Sequence, residues 1–240
     1  MPPRLPSLLR PPVTFAHRGA RAHAPENTLE AFRLGLRLGA SGLESDVWLT
    51  ADGVAVLDHD GVVRTGRRKR QIADVDRAAL PAHVPSLGDL YAECGTDFEL
   101  SLDVKEPAAA RAVVAVAGAA GGSAVERLWL CHPDLDVLVG FRMLGDGFRL
   151  VDSTRLRRIK EGPEKRAARL AELGIDAVNL HHTDWTGGLT TLFHRFGRLA
   201  LGWDAQHERI LHELLDMGID GVYSDHVDRM VDAMAAVGYA

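Results

Sequence analysis

Strand-like and helix-like segments alternate along this chain, and only one pair of strands is joined by a hairpin-type turn. The strand-like segments are 13–16, 42–49, 54–59, 98–105, 127–131, 148–152, 177–180, 199–203 and 222–224. The hairpin turn is Thr50-Ala51-Asp52-Gly53. Most of the other gaps hold a helix-like pattern, as in 28–38, where Leu29, Phe32 and Leu36 fall near one face. Ser86 reads as the N-cap of a helix through Glu93, and Pro107 as the first-turn proline of a helix through Ala119. Strands separated by helices must run parallel. About nine strands in this order favour a closed barrel over an open sheet. No glycine-rich nucleotide loop follows any of them. The expected fold is therefore α/β: a single-domain TIM (β/α)8 barrel with a small β-hairpin-like extension near residues 47–59. Residues 1–12, rich in proline, read as a lead-in, and residues 13–240 as the barrel domain.

Bulk properties narrow the function. A formal charge of −5 argues against a nucleic-acid partner. The longest nearly uninterrupted apolar run, Ala112 to Ala120, is too short to span a bilayer, so no stable membrane insertion is expected. The first twelve residues make a poor secretory signal. The two cysteines, Cys94 and Cys131, have no zinc spacing and read as buried free thiols in a reducing compartment, hence a cytoplasmic protein.

The strand 98–105 alternates strictly. Phe98, Leu100, Leu102 and Val104 share one face, and Glu99, Ser101, Asp103 and Lys105 the other. In a barrel the apolar face meets the helices and the polar face points inward, which suggests a mouth built around an ion or a charged ligand. Glu44 and Asp46, two apart on a strand, also emerge on one face. Close carboxylates repel unless a cation sits between them. Taken alone the pair is weak, since solvated acidic pairs at strand ends are common. With Asp103 it makes an oxygen set suited to Mg²⁺ or Ca²⁺ rather than Zn²⁺. His17 and His59 end two different segments; one can act as a base and the other as an acid. Arg18 offers a fork of donors to a phosphate oxygen, and Lys105 a point charge. Trp203, at a strand end, is a candidate pocket wall.

His17-Arg18-Gly19, Pro25-Glu26-Asn27-Thr28, Glu44-x-Asp46 with Thr50-x-Asp52-Gly53, and His59-Asp60 occur in the order found in glycerophosphodiester phosphodiesterases, which this chain resembles. Pro85-Ser86-Leu87, Leu102-Asp103-Val104-Lys105, Trp203 and Gly221-Val222-Tyr223-Ser224-Asp225 resemble later blocks of that family. The resemblance implies a TIM barrel with one divalent cation at its C-terminal mouth. It implies His17 and His59 as the acid–base pair and Glu44 and Asp46 as metal ligands. Arg18 and Lys105 would hold the phosphate, and Asn27 would tie the first loop or contact the site. The substrate would be a small glycerophosphodiester, cut to glycerol 3-phosphate and an alcohol. The chain departs from the family pattern at Asp103, where glutamate is usual, at Cys131-His132-Pro133 in place of an aromatic, and at Asp204 and Gln206.

Two other functions are open at this point: a lysophospholipase D-type phosphodiesterase on the same fold, which needs an apolar lip, and a catalytically weakened barrel that only binds a phosphate ligand. His132 and His181 are further pocket candidates, His181 sharing a rim with His182. Two basic clusters, Arg64/Arg67/Arg68/Lys69/Arg70 and Arg155/Arg157/Arg158/Lys160, read by default as solvated loops.

Overall fold

In the computed structural model, residues 4–65 and 68–239 are described. Eight parallel strands close on themselves, and helices fill the gaps between them. The elements run β1 (Val13–Ala16), α1 (Leu29–Arg37), β2 (Gly42–Leu49), β3 (Ala55–Leu57), β4 (Val62–Thr65), β5 (Arg68–Gln71), α2 (Leu87–Cys94), β6 (Glu99–Val104), α3 (Ala109–Ala120) and α4 (Gly122–Glu126). They continue with β7 (Leu128–His132), α5 (Leu135–Arg142), β8 (Arg149–Ser153), α6 (Pro163–Glu172), β9 (Ala177–His181), α7 (Gly187–Arg195), β10 (Leu199–Trp203), α8 (Glu208–Asp216), β11 (Gly221–Ser224) and α9 (Val227–Ala236). The barrel order is β1-β11-β10-β9-β8-β7-β6-β2, closed by the β1–β2 pairing. The TIM barrel expected from the alternation is what forms. β3 adds antiparallel to β2, Val47 facing Leu57, and makes the expected extension.

Caps fix several helix starts. Thr28 accepts from the Ala31 amide ahead of α1, and Ser86 and Asp89 form a reciprocal capping box at α2. Pro107 lies just outside α3, which begins at Ala109. The glycine pair 121–122 ends α3 and allows the short helix α4, which the sequence pattern did not suggest. The first basic cluster is not a plain loop. Arg64 pairs with Lys69 in the β4–β5 hairpin, anchored by Val63, Ile72 and Val75 in a small core of their own. Arg67 lies outside the described residues.

One parity governs the barrel interior. Leu43, Val47, Leu100, Leu102 and Val104 point outward into the helical layer. Phe15, Trp129, Cys131, Val151, Leu201 and Tyr223 point inward. Phe15 stacks on Tyr223 at 4.6 Å and meets Trp129 edge-on at 5.7 Å, filling the lower barrel. Burying such rings is worth about 2–3 kcal/mol each. The polar stripe of β6 is divided by depth. Glu99, at the bottom, accepts from the Trp129 indole, and Ser101, midway, bonds the Tyr223 hydroxyl at 3.0 Å. Only Asp103 and Lys105 reach the mouth. Two of the four polar residues thus serve packing, not a ligand. Below the barrel, Asp220 accepts from Ser7, Leu8, Ala200 and His194 and ties residues 7–9 to the β10–β11 end. No helix among the described residues is long and apolar enough to cross a membrane.

Candidate active site

The C-terminal ends of the strands carry a cavity of about 370 Å³. The register explains its chemistry. β2 and β6 pair with Asp46 beside Asp103, and Glu44 lies one inward position deeper, beside Ser101. Ligand atoms of Glu44, Asp46 and Asp103 all lie within 4.8 Å of one another. Glu44 and Asp46 are buried, whereas the Asp103 side chain is 37% accessible.

The turn after β1 is built to serve this group. Arg18 and Gly19 adopt left-handed backbone, with φ of 51° and 78°. A Cβ at Gly19 would lie 2.6 Å from the Ala31 carbonyl carbon, so only glycine fits there. In this turn the Arg18 amide donates to Glu44 Oε2 at 2.9 Å. The Arg18 guanidinium donates to Glu26 at 3.1 Å, and its Nε lies 3.8 Å from Asp46 Oδ2. Lys105 Nζ sits 2.7 Å from Asp46 Oδ1 and 3.4 Å from Asp103 Oδ2.

His17 follows Phe15 by two and therefore points inward. Its Nδ1 lies 2.5 Å from Asp225 Oδ1, and its Nε2 lies 3.7 Å from Glu44 Oε2. Burial alone would lower the His17 pKa. The Glu44 and Asp225 carboxylates outweigh it, and the net direction is upward. Burial pushes Glu44 up to about 7, against the opposing pull of His17 and with the repulsion of Asp46 and Asp103 added. Burial and the nearby Asp46 carboxylate also raise Asp103, although Lys105 opposes them. His59, two residues past β3, reaches the cavity from the extension, with Nδ1 2.7 Å from Asp60 Oδ1.

Three clustered acids, two of them buried, held near one another and with one lysine, are an arrangement short of positive charge. Asp46 Oδ2 is buried and has no hydrogen-bond partner. A divalent cation with oxygen ligands fits this donor set, to which Asp103 contributes a carboxylate oxygen within 4.8 Å of those of Glu44 and Asp46.

Trp203 lines the cavity, as its strand-end position implied. Asn27 does not. It is buried with φ of 55°, and its Oδ1 accepts from Ser45, which lies on the face of β2 opposite Glu44 and Asp46. Asn27 thus braces the β1–α1 loop from outside the barrel, which is the loop-tying role of the two the resemblance implied, and it does not line the cavity. His132 is also away from the cavity. Cys131 takes the inward position on β7, so His132 turns out, accepts from the Asp134 amide and packs by Phe141 at 6.2 Å. His181 stays on the rim, bonded to Asp204 Oδ2 at 3.1 Å and edge-on to the Trp203 ring at 4.6 Å.

Sequence reading named Tyr223 and Asp225 only as part of a family block, without a role, missed Asn179, and left the arginines after β8 as solvated loop. Arg155, Arg157 and Arg158 all line the cavity. Asp225 had a signal: it lies two beyond Tyr223, hence on the same inward side.

The fold and site define a class, a (β/α)8 barrel with an acidic trio flanked by two histidines at its C-terminal mouth. Residues 17–113 match the model of the Glycerophosphoryl diester phosphodiesterase family. A Mycobacterium tuberculosis protein, probable glycerophosphodiester phosphodiesterase 2, is 29% identical over 94% of this chain and 92% of its own length. Bovine glycerophosphodiester phosphodiesterase 1 is 37% identical over a stretch covering 38% of this chain and 33% of its own. Among solved structures, a Silicibacter pomeroyi putative glycerophosphoryl diester phosphodiesterase superposes with a TM-score of 0.82 at 23% identity, covering 98% of this chain and 96% of that one. An Oleispira antarctica phosphodiesterase, solved with sn-glycerol-3-phosphate, superposes at 0.81 with 22% identity, covering 93% and 97%. At these identities the structural likenesses speak for the fold. The sequence likenesses relate this chain to the glycerophosphodiester phosphodiesterase family.

Proposed function

We propose that this protein is a divalent-cation-dependent phosphodiesterase that hydrolyses glycerophosphodiesters to glycerol 3-phosphate and an alcohol. The observation that carries the reading is the convergence of Glu44, Asp46 and Asp103, with the His17 imidazole 3.7 Å from Glu44 and with Lys105 and Arg18 beside Asp46. Glu44, Asp46 and Asp103 are the residues that would hold the cation, Mg²⁺ or Ca²⁺. When bound, it would polarise phosphoryl and glycerol oxygens as a Lewis acid. Lys105 and Arg18 place positive charge where the phosphate oxygens would lie. Asp225 holds Nδ1 of His17, which leaves Nε2 free to take the proton from the attacking hydroxyl. In this reading the attacking group is the glycerol hydroxyl next to the phosphoester, and water then opens the cyclic phosphate. His59, on the solvent side with Asp60 at its Nδ1, gives a proton to the leaving alcohol.

The wall of the cavity favours a polar substrate over a lysophospholipid. Its aromatic members are Trp203 and Tyr223, and most of the rest is charged or polar. The free thiols Cys94 and Cys131 suit a reducing compartment, and we read the protein as cytoplasmic.

The test is turnover of glycerophosphocholine, glycerophosphoglycerol and lysophosphatidylcholine, each with Mg²⁺, with Ca²⁺ and after EDTA. Cation-dependent release of glycerol 3-phosphate from the first two supports the reading. Folded protein with no turnover on any of them would reduce it to a phosphate-binding barrel. Turnover of the lysolipid alone would shift it to the lysophospholipase D class.

A further inference from the structure

From the segment after β8 we infer that this site prefers a leaving alcohol that itself carries a phosphate, not a quaternary ammonium. The inference rests on the phosphodiesterase reading and names the substrate class within it. Arg155, Arg157 and Arg158 all line the cavity, in the segment after β8, and β7 alone separates β8 from the β6 strand that carries Asp103. The Thr154 amide donates to the Asn179 carbonyl at 3.0 Å, so the start of the segment is held to β9.

The charges near the cavity are otherwise accounted for. Lys105 lies on Asp46 and Asp103, and Arg18 on Glu26. A divalent cation would neutralise what remains of the acidic trio. Arg155 is committed to Asp184, through Nε to Oδ2 at 2.8 Å and Nη2 to Oδ1 at 3.4 Å. The guanidinium groups of Arg157 and Arg158 have no hydrogen-bond or ion-pair partner among the described residues, and both residues are exposed to the cavity and to solvent. A scissile diester brings one negative charge. Two guanidinium groups with no protein partner beyond it are available to a second anion, and their planar forks suit phosphate oxygens.

The same geometry disfavours a trimethylammonium group. Such a group needs an open aromatic face. Trp203 is the cavity's tryptophan, and the Arg155 guanidinium already lies 5.6 Å from its ring centroid. The His181 ring meets it edge-on. A second cation would be repelled there.

Three glycerophosphodiesters with one scissile bond type test this: bis(glycerophospho)glycerol, glycerophosphoglycerol and glycerophosphocholine, whose leaving alcohols are anionic, neutral and cationic. The expected kcat/KM falls in that order, with about tenfold between the first two at low salt, and the gap narrows as salt screens the pair. The double substitution Arg157→Gln/Arg158→Gln should bring the anionic-to-neutral ratio to about one, mainly through KM, while Arg157→Lys/Arg158→Lys keeps most of the preference. Turnover of the neutral substrate with no preference for the anionic one overturns the inference and leaves the phosphodiesterase reading intact. So does a ratio that survives the glutamine pair, because the arginines would then serve the scissile phosphate or nothing. No turnover of any of the three in folded, cation-supplied protein overturns both.

Discussion

Replacing Asp225 by asparagine separates the two things this carboxylate does for His17. Its Oδ1 lies 2.5 Å from Nδ1, and it is held from behind by its own amide, which donates to Gln206 Oε1 at 2.9 Å. Burial would raise the Asp225 pKa, but its bond and charge pairing with His17 and the nearby Arg21 keep it below the usual carboxylate range, so it is ionised at neutral pH. A charge-assisted hydrogen bond to the imidazolium that forms during proton transfer is worth about 1.5–3 kcal/mol. At 1.36 kcal/mol per decade this is a loss of roughly 10- to 150-fold in kcat if the asparagine oxygen still accepts from Nδ1–H. If the amide nitrogen turns toward Nδ1 instead, the ring carries its proton on Nε2 and cannot act as base, and the loss rises to about 10⁴-fold. The charge effect has its own signature. Asp225 helps raise the His17 pKa, so without it the pKa falls. His17 must be neutral to accept a proton, and the acid limb of the pH–rate profile therefore moves to lower pH in Asp225→Asn. Steady-state kinetics from pH 5 to 9 with excess cation give both readouts. A kcat within fivefold of the parent with an unmoved acid limb would refute the assignment of Asp225 as the positioning residue and of His17 as the base.

Other outcomes follow from the same coordinates. Adding Mg²⁺ or Ca²⁺ at about 100 times Kd to EDTA-treated protein should stabilise it by about 2.7 kcal/mol, read as a rise in Tm of roughly 5–10 °C. Asp46→Asn should abolish that rise, and an unchanged Tm in the parent would count against a cation at the trio. Because Glu44 is raised to about 7, protons compete with the cation, and apparent cation affinity should weaken as pH falls through that value; a flat isothermal titration series from pH 8 to 6 would contradict this. His59→Ala should lose at least about 100-fold on a glycerol leaving group but much less on a 4-nitrophenol ester, whose leaving group needs no acid; equal losses on both would remove His59 from that role. Away from the site, Asp220→Asn should destabilise the fold by about 3 kcal/mol, since it breaks a buried pair with His194 and weakens the tie to residues 7–9. Burial opposes ionisation of Asp220, but His194, Ala200 and Ser7 depress its pKa. Its stabilisation is therefore present above the unfolded value near 4 and lost as pH falls through the depressed one, so the gap between parent and variant in urea melts should close in acid.

The barrel was legible because the hydrophobic period and the helix starts agree along most of the chain. Thr28, Ser86 and the apolar positions of β6 each specify one local conformation, and the closed sheet satisfies them together. What escaped was set by distant partners. Nothing near Arg64 or Lys69 announces a hairpin; Val63 and Ile72 make it by packing against Val75 and Val84 in a satellite core. Glu99 and Ser101 have the same alternation as Asp103, but Trp129 and Tyr223, from other strands, satisfy them below the mouth.

The site shows the same division. Histidines and carboxylates could be named from the sequence, but whether each faces the cavity depends on strand parity counted from an inward residue. Phe15 carries His17 inward, Leu201 carries Trp203, and Tyr223 carries Asp225, whereas Cys131 turns His132 out. Asn27 ties the first loop and stays out of the cavity for a related reason. Its neighbour Glu26 reaches the cavity group through the Arg18 guanidinium, but Ser45, on the outer side of β2, captures the Asn27 side chain. Once a single inward residue is known on a barrel strand, the residues two and four positions on follow without further information. Parity counted from Val151 reaches Ser153 and Arg155, but it does not place Arg157 and Arg158, which lie in the 3-10 turn well past the end of β8. Those two are the residues to which we assign discrimination among leaving groups, so in this reading the barrel's register fixes the reacting centre while the loop after β8 selects the alcohol.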